Sequence, residues 1–346
     1  LALEGVYKMS KPVSTSFSIL DIIKERKSSF KNLAGPLLGM FILVILISIA
    51  TPFFMSSANL LNVGRQAAIN IILAAGMTLV IFTGGIDLSI GSVMALAASV
   101  AVVLITHFGI NVWLGVLICI LVGAACGLLN GLVITKGRVP DFIATLGMMS
   151  LARGLALLVT EGMAVPSFAI AVREMPEEII ALGAGHVLGI PAPFFISLLV
   201  IIVTWFVSKN TRTGRYFYAV GGNREAARVS GINVEKTKLT AYMLSGLFAG
   251  VAGIVLAGRL NSANAHMGVG AELNAIASVV MGGANLFGGE GTLGGTLIGG
   301  ITIAILNNGL NLMAVSAFWQ EVAMGIVVVA VVVFDQWRRH RFSEKK

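Results

Sequence analysis

The chain has 346 residues, 57% of them hydrophobic and only 12% charged, with a net charge of +8 and a mean hydropathy of +0.93. A soluble domain carries about 25% charged residues and must wrap its core in a hydrated surface, which this composition cannot supply. Soluble enzymes, fibrous repeats and disordered chains are thereby excluded. Stretches such as LLGMFILVILISIA and VAMGIVVVAVVVF are uniformly apolar rather than alternating as barrel strands must be, so the fold class is an all-α polytopic membrane protein.

From the amino terminus, residues 1–35 hold Lys8, Lys11, Lys24, Arg26, Lys27 and Lys31 and no long apolar run. They lack the short apolar stretch and small-residue cleavage site of a secretory signal, so the first crossing is expected to be retained as an anchor. Ten crossings are predicted near 37–54, 66–82, 88–107, 111–134, 141–160, 191–207, 238–258, 271–285, 293–313 and 318–336. With the amino terminus inside, 20 of the 24 basic residues fall on the cytoplasmic side, and only Arg65, Arg153, Arg173 and Arg259 fall elsewhere. That asymmetry, with the even number of crossings, predicts that both termini are cytoplasmic. The organisation is then a cytoplasmic tail 1–35, a membrane domain 36–336 with an external loop 161–190 and a cytoplasmic loop 208–237, and a basic tail 337–346. The positive charge faces an anionic lipid leaflet; no basic array interleaved with aromatics marks a nucleic-acid platform.

Not every crossing reads as a plain helix. IFTGGIDLSIGSVMALAAS and MGGANLFGGEGTLGGTLIGG carry glycine too densely for continuous, unstrained helix. Broken or re-entrant segments are expected there, since interrupted backbone is tolerated at membrane depth where protein or a wet cavity satisfies it. Close packing through small residues competes with that reading for GGTLIGG and LVGAACG. Cys119 and Cys126, two helical turns apart in one apolar segment, read as small apolar fillers.

Asp87 follows two glycines and precedes Leu88 and Ser89, a place where a carboxylate caps the next span. A relay or ligand role is the alternative. Arg153 lies near the middle of LGMMSLARGLALLVTEG and must turn inward or toward a cavity, because a cation in lipid costs several kcal/mol. Asn130, Thr145, Asn274, Asn307 and Asn308 also fall at depth, with Gln66 and Asn70 nearer the external end of the second crossing. Neutral amides offer paired donors and acceptors without a compensating charge, which suits a hydroxyl-rich solute. Interhelical hydrogen bonding explains such residues equally well one by one, and least well for Asn307 and Asn308, whose directions differ by about 100° on a helix. Asn308 is accordingly expected in the solute path, where leucine would impair uptake and spare the fold.

In the cytoplasmic loop, Asn223 follows Gly221 and Gly222 and can cap a helix of about eight residues with Glu225 in its first turn and Gly231 at its end. Such an element, held between two crossings, is a docking surface or else a solvated turn. Ala226 and Ala227 are small enough for close seating, with Glu225 and Arg228 flanking them. His107, His186, His266 and His340 are scattered without a second ligand at metal spacing, and the chain has no GxxxxGK[ST] motif with which to bind ATP itself.

Four segments, NVGRQAAINIILAAGMTLVIFTGGIDLSIGSVMALAA, GLLNGLVITKGRVPDFIATLGMMSLARGLALL, TRTGRYFYAVGGNREAARVSGINVEKTKLTAYMLSGLFAGVAGIVLAGRL and GAELNAIASVVMGGANLFGGEGTLGGTLIGG, occur in the order seen in ribose-type permeases of bacterial ATP-binding cassette importers. The resemblance spans nearly all of 55–336. It implies a homodimeric pathway in the bacterial inner membrane that receives a pentose or related sugar from a periplasmic binding protein. It also implies a separate cassette ATPase, bearing ATP and magnesium, with no cofactor in this chain. The coupling helix of that family corresponds to residues 222–231, and GGIDLS with Ser89, together with the Asn307–Asn308 span, would lie near the path. A nucleoside or branched-chain amino acid permease of the same architecture is the alternative, and an ATP-independent channel or carrier a more distant one.

Overall fold

The computed structural model describes residues 19–166 and 173–343; Lys8 and Lys11, part of the loop 161–190 that is expected to be external, and Lys345 and Lys346 lie outside the described residues. Ten apolar helices follow the ten predicted crossings: α1 (Ile19–Ala50), α2 (Ser57–Phe82), α3 (Ile90–Thr106), α4 (Val112–Thr135), α5 (Asp141–Thr160), α7 (Ala192–Asn210), α10 (Val234–Leu260), α11 (Ala271–Met281), α12 (Leu293–Leu312) and α13 (Ala317–Ser343). Three short polar-side helices complete the set, α6 (Glu177–Ala184), α8 (Arg212–Gly222) and α9 (Arg224–Val229). A two-residue hairpin, His186–Val187 with Ile190–Pro191, precedes α7.

Seven of the apolar helices are long and apolar enough to cross a membrane, and α3, α11 and the 317–333 part of α13 are shorter. The protein is thus an all-α polytopic membrane protein. The crossing expected at 271–285 needs correcting in kind: α11 has 11 residues, which rise about 16 Å against a hydrocarbon core of roughly 30 Å. The irregular stretch from Asn261 to Gly270 takes up part of the depth instead. Arg153 on α5 anchors it by donating to the carbonyls of Ala265 and of Met267, the latter at 2.9 Å.

The most enclosed of the long crossings is α2, whose apolar window is 83% buried, followed by α10 and α12 at 61% each, against 6% for α1 at the periphery. Small residues bring α10 against α4. Cys119, Gly123, Gly127 and Gly131 recur every fourth residue along α4, and Tyr242, Gly246 and Gly250 do so along α10. A Cβ on Gly131 would lie 2.9 Å from the Leu239 Cα, one on Gly250 2.9 Å from the Ile120 Cα, and one on Gly123 would strike the Gly246 carbonyl. With lipid outside as apolar as the helix faces, such backbone approach supplies the association energy through dispersion. The same device packs the GGTLIGG start of α12 antiparallel to α11, with Gly295 against Gly282 and Gly299 against Ser278.

Two chain breaks interrupt the bundle at the end that carries α8 and α9. The first, residues 83–89, separates α2 from α3; the second, 282–292, separates α11 from α12. Both fall in the glycine-dense segments expected to be broken. At the opposite end α6 lies on α10, with Gly183 and Ile179 against Gly258, and forms a lip rather than a domain.

Candidate functional site

An open cavity of about 200 Å³ lies between α2, α10, α11 and α12. Gln66 and Asn70 face it from α2, Arg259 from the last turn of α10, Asn274 from α11 and Asn307 from α12. On α2, Gln66, Asn70 and Leu73 recur at i, i+4 and i+7, the spacing of one helical face. The volume is below the roughly 300 Å³ at which drug-sized pockets begin, so it suits a small solute.

The hydrogen-bonding state of the walls says what chemistry would fit. Asn70 Nδ2 donates to Ser278 Oγ at 2.8 Å and to the Gly300 carbonyl at 3.3 Å, which fixes the amide and turns its Oδ1 the other way. That oxygen is buried without a partner, and so is Oδ1 of Asn274. A buried acceptor left unmade costs about 1–3 kcal/mol, so a side-chain turn that brings either oxygen to the cavity surface would let an incoming O–H or N–H satisfy it. Arg259 adds donors and has no ion-pair partner among the described residues. The wall therefore offers acceptors and donors together, with one cation and no carboxylate or aromatic ring.

The other end of the bundle handles polar groups differently. Asp87, 1% exposed, accepts from the Ser89 N–H at 3.0 Å and the Ser89 hydroxyl at 2.6 Å through Oδ1, and from the Ser245 hydroxyl at 2.9 Å through Oδ2. The Ser89 hydroxyl in turn accepts from Asn130 Nδ2 at 2.9 Å. This ties the break to α4 and α10. The expected helix cap is displaced by two residues: α3 starts at Ile90 with Ser89 in the cap position, and Asp87 closes the turn before it rather than the first helical turn. One turn away, Asp141 pairs with Lys238 at 2.6 Å, and the Tyr242 hydroxyl lies 2.9 Å from the same carboxylate and 3.2 Å from the Ile86 carbonyl.

The residues singled out from sequence thus separate into groups. Asn274 and Asn307 line the cavity. Asp87, Ser89 and Asn130 form the network at the first break. Ser245 of that network and Arg259 of the cavity are 14 positions apart on α10, about 21 Å along its axis. Thr145 turns back onto its own helix, donating to the Asp141 carbonyl at 2.9 Å. Arg153, half-buried, holds the 261–270 stretch and does not line the cavity.

Asn308 differs from its neighbour. It exchanges two 2.9 Å amide bonds with Asn59 of α2 and is 4% exposed, so the structure gives it a helix-to-helix bond where solute contact was expected. Arg259 was missed as a wall residue. Its charge at the end of an apolar run was legible, but its facing was not.

At the basic end, Asn223 caps α9 as expected, its Oδ1 accepting from the Ala226 N–H at 2.9 Å. The helix is six residues rather than about eight, and Gly231 leaves it at φ 82° with its N–H on the Arg228 carbonyl at 3.0 Å. Glu225 and Arg228 pair at 3.5 Å across the exposed side. Ala226 is exposed as expected. Ala227 is not: it is buried against Val220 and Val234, so its methyl holds α9 to α8 and α10 and does not face a partner. The preceding α8 was not expected. Its Tyr218 stacks on Phe82 with ring centroids 4.3 Å apart and donates to the Gly291 carbonyl at 3.3 Å. Burial pushes that phenol up to about 12, still further from ionising than a free phenol.

Residues 59–332 match the family described as branched-chain amino acid transport system, permease component. The chain is similar to the ribose import permease protein RbsC of Haemophilus influenzae, with 38% identity over 95% of this chain and 98% of that protein. It is 43% identical to the RbsC of Escherichia coli strain K12 over 86% of this chain and 92% of that one. It is 35% identical to the D-allose transport system permease protein AlsC of the same strain, over 86% and 90%. No solved structure matches the chain.

Proposed function

The chain belongs to the permease-component family of branched-chain amino acid transport systems, on its ribose-type branch, and from that premise we propose that it is the membrane subunit of an ATP-driven sugar importer. It translocates a ribose-like monosaccharide through the bundle and is not itself an enzyme. Work from ATP enters through α9 from a separate cassette ATPase that carries ATP and magnesium. A periplasmic binding protein delivers the sugar at the cavity end, and a second copy of the permease completes the path in a bacterial inner membrane. The basic end with α8 and α9, and both termini, face the cytoplasm. The 20-to-4 distribution of basic residues supports that orientation.

The observation that carries the solute class is the amide wall with two buried, unpaired acceptors, Asn70 Oδ1 and Asn274 Oδ1. Sugar hydroxyls both donate and accept, and they satisfy such oxygens and the Arg259 donors together. A branched-chain amino acid, the solute in the family description, would need a carboxylate for its ammonium and an apolar end-pocket for its side chain. The wall has Arg259 and no acid. Uptake of labelled ribose into proteoliposomes holding permease, cassette ATPase and binding protein tests the reading, with unlabelled leucine and uridine as competitors. Uptake that is ATP-independent, or that leucine competes away and ribose does not, sinks it.

A further inference from the structure

Between α11 and α12 the chain makes a tight loop at residues 285–290, closed three times by Asn285. Its N–H donates to the Glu290 carbonyl at 3.0 Å, its carbonyl accepts from the Gly288 N–H at 3.0 Å, and its Oδ1 accepts from the Phe287 N–H at 3.0 Å. Gly288 and Gly289 follow at φ 95° and 76°, a region that side chains disfavour. The loop is seated backbone to backbone on the last turn of α8. A Cβ on Gly288 would lie 2.8 Å from the Gly221 Cα, and one on Gly289 would lie 2.7 Å from the Gly222 Cα. Asn223, the cap of α9, is the next residue. The Gly289 N–H also donates to the Phe82 carbonyl at 3.1 Å, so loop, α2 and α8 meet at one point.

This construction holds Phe287 outward, 71% exposed, beside the start of α9. Val229, at the end of α9, is 88% exposed. Among the described residues neither is covered, and burying such a side chain against a partner is favourable. Arg224, the first residue of α9, is exposed and has no ion-pair partner among the described residues, as are Arg212 and Arg215 at the other end of α8, while Glu225 is matched by Arg228. The face carries two apolar anchors, Phe287 of the loop and Val229 of α9, with the exposed arginines of α8 and α9 on the same end and Glu290 exposed in the loop itself.

We propose that Phe287 is a second anchor of the ATPase docking surface, set beside α9 and moving with it, and that the occupant is a cassette ATPase cleft with an apolar floor and an acidic rim. The proposal rests on the ATP-driven reading given above. Rigid seating matters to it: a contact fused to α8, to the break at 83–89 and to the α11–α12 break passes a displacement of α9 to both breaks at once, where a flexible loop would absorb it.

The test uses the full-length permease in lipid vesicles and a purified cassette ATPase from the same organism's sugar importers. F287A is expected to weaken ATPase binding roughly tenfold without lowering the unfolding temperature, because the side chain is exposed and contributes no core packing. F318A, an equally exposed phenylalanine at the opposite end of the bundle, should leave binding unchanged. The two native cysteines are buried, so F287C supplies the one accessible thiol, and the ATPase should slow its reaction with a water-soluble maleimide. Wild-type affinity in F287A, with F287C labelled equally fast in the presence of the ATPase while V229D abolishes binding, overturns the second anchor and leaves the importer reading intact. F287C already shielded in vesicles before any ATPase is added makes Phe287 a lipid contact and overturns it too. If the wild-type permease binds no ATPase, the importer reading itself fails.

Discussion

The two ends of the bundle use the same kinds of residue to opposite purpose. At the first chain break, a carboxylate, two serines and an amide are buried and mutually satisfied: both oxygens of Asp87 are used, by Ser89 and Ser245, and Asn130 reaches Ser89. In the cavity, the Oδ1 atoms of Asn70 and Asn274 are equally buried and have no partner. A closed network holds backbone in place, whereas an open one keeps a cost that a ligand can remove. The difference teaches that polarity at membrane depth does not by itself mark a path; unmade bonds beside a cavity do, since Ser99 Oγ and Glu272 Oε2 are also buried without partners and do not line it. Adjacent residues show it most sharply, Asn308 locked to Asn59 and Asn307 on the cavity wall.

The largest effect expected is at the closed end. D87A leaves three donors without their acceptor and should lower stability by about 4 kcal/mol, read as a fall in unfolding temperature in detergent, with D87N milder because one acceptor oxygen survives. A D87A protein of normal stability that no longer transports would move Asp87 from the scaffold to the path. Next is A227R, which forces a large cation between Val220 and Val234 and should cost about 3 kcal/mol by overpacking and burial of charge. A226R, on the exposed side, should leave stability alone and impair only ATPase-stimulated uptake. Equal loss of stability in both would contradict the inward facing of Ala227.

N308L should cost about 2 kcal/mol, since Asn59 loses both bonds it shares with Asn308, and the N59L/N308L pair should recover part of it. If N308L folds normally and transports poorly, Asn308 returns to the path. The smallest loss of stability, none or a gain, is expected for N274L, because it removes a buried acceptor that has no partner in the resting protein. Ribose uptake should nonetheless fall roughly tenfold, the worth of one hydrogen bond to the solute. Unchanged uptake would erase the contrast between the two ends.

The sequence by itself determined the fold class, the ten apolar helices, the two breaks and the cap at Asn223. These follow from near-neighbour physics: apolar length against bilayer thickness, glycine density against helix continuity, and an amide oxygen within reach of the next turn. It also carried the family, through four long motifs in fixed order. Only the tertiary structure decided which polar residues meet. Asn59 and Asn308 are 249 positions apart, Asp87 and Ser245 are 158 apart, and Arg153 finds its carbonyls 112 and 114 residues away. A side chain's facing on a helix is periodic and therefore legible, but its partner depends on which helix packs there and at what height. In this bundle that is set by where glycines let two backbones touch, as between α4 and α10. The same reason hid the inward turn of Ala227 and the place of Phe287 beside α9: each rests on contacts with a segment remote in the chain, and no local pattern records them.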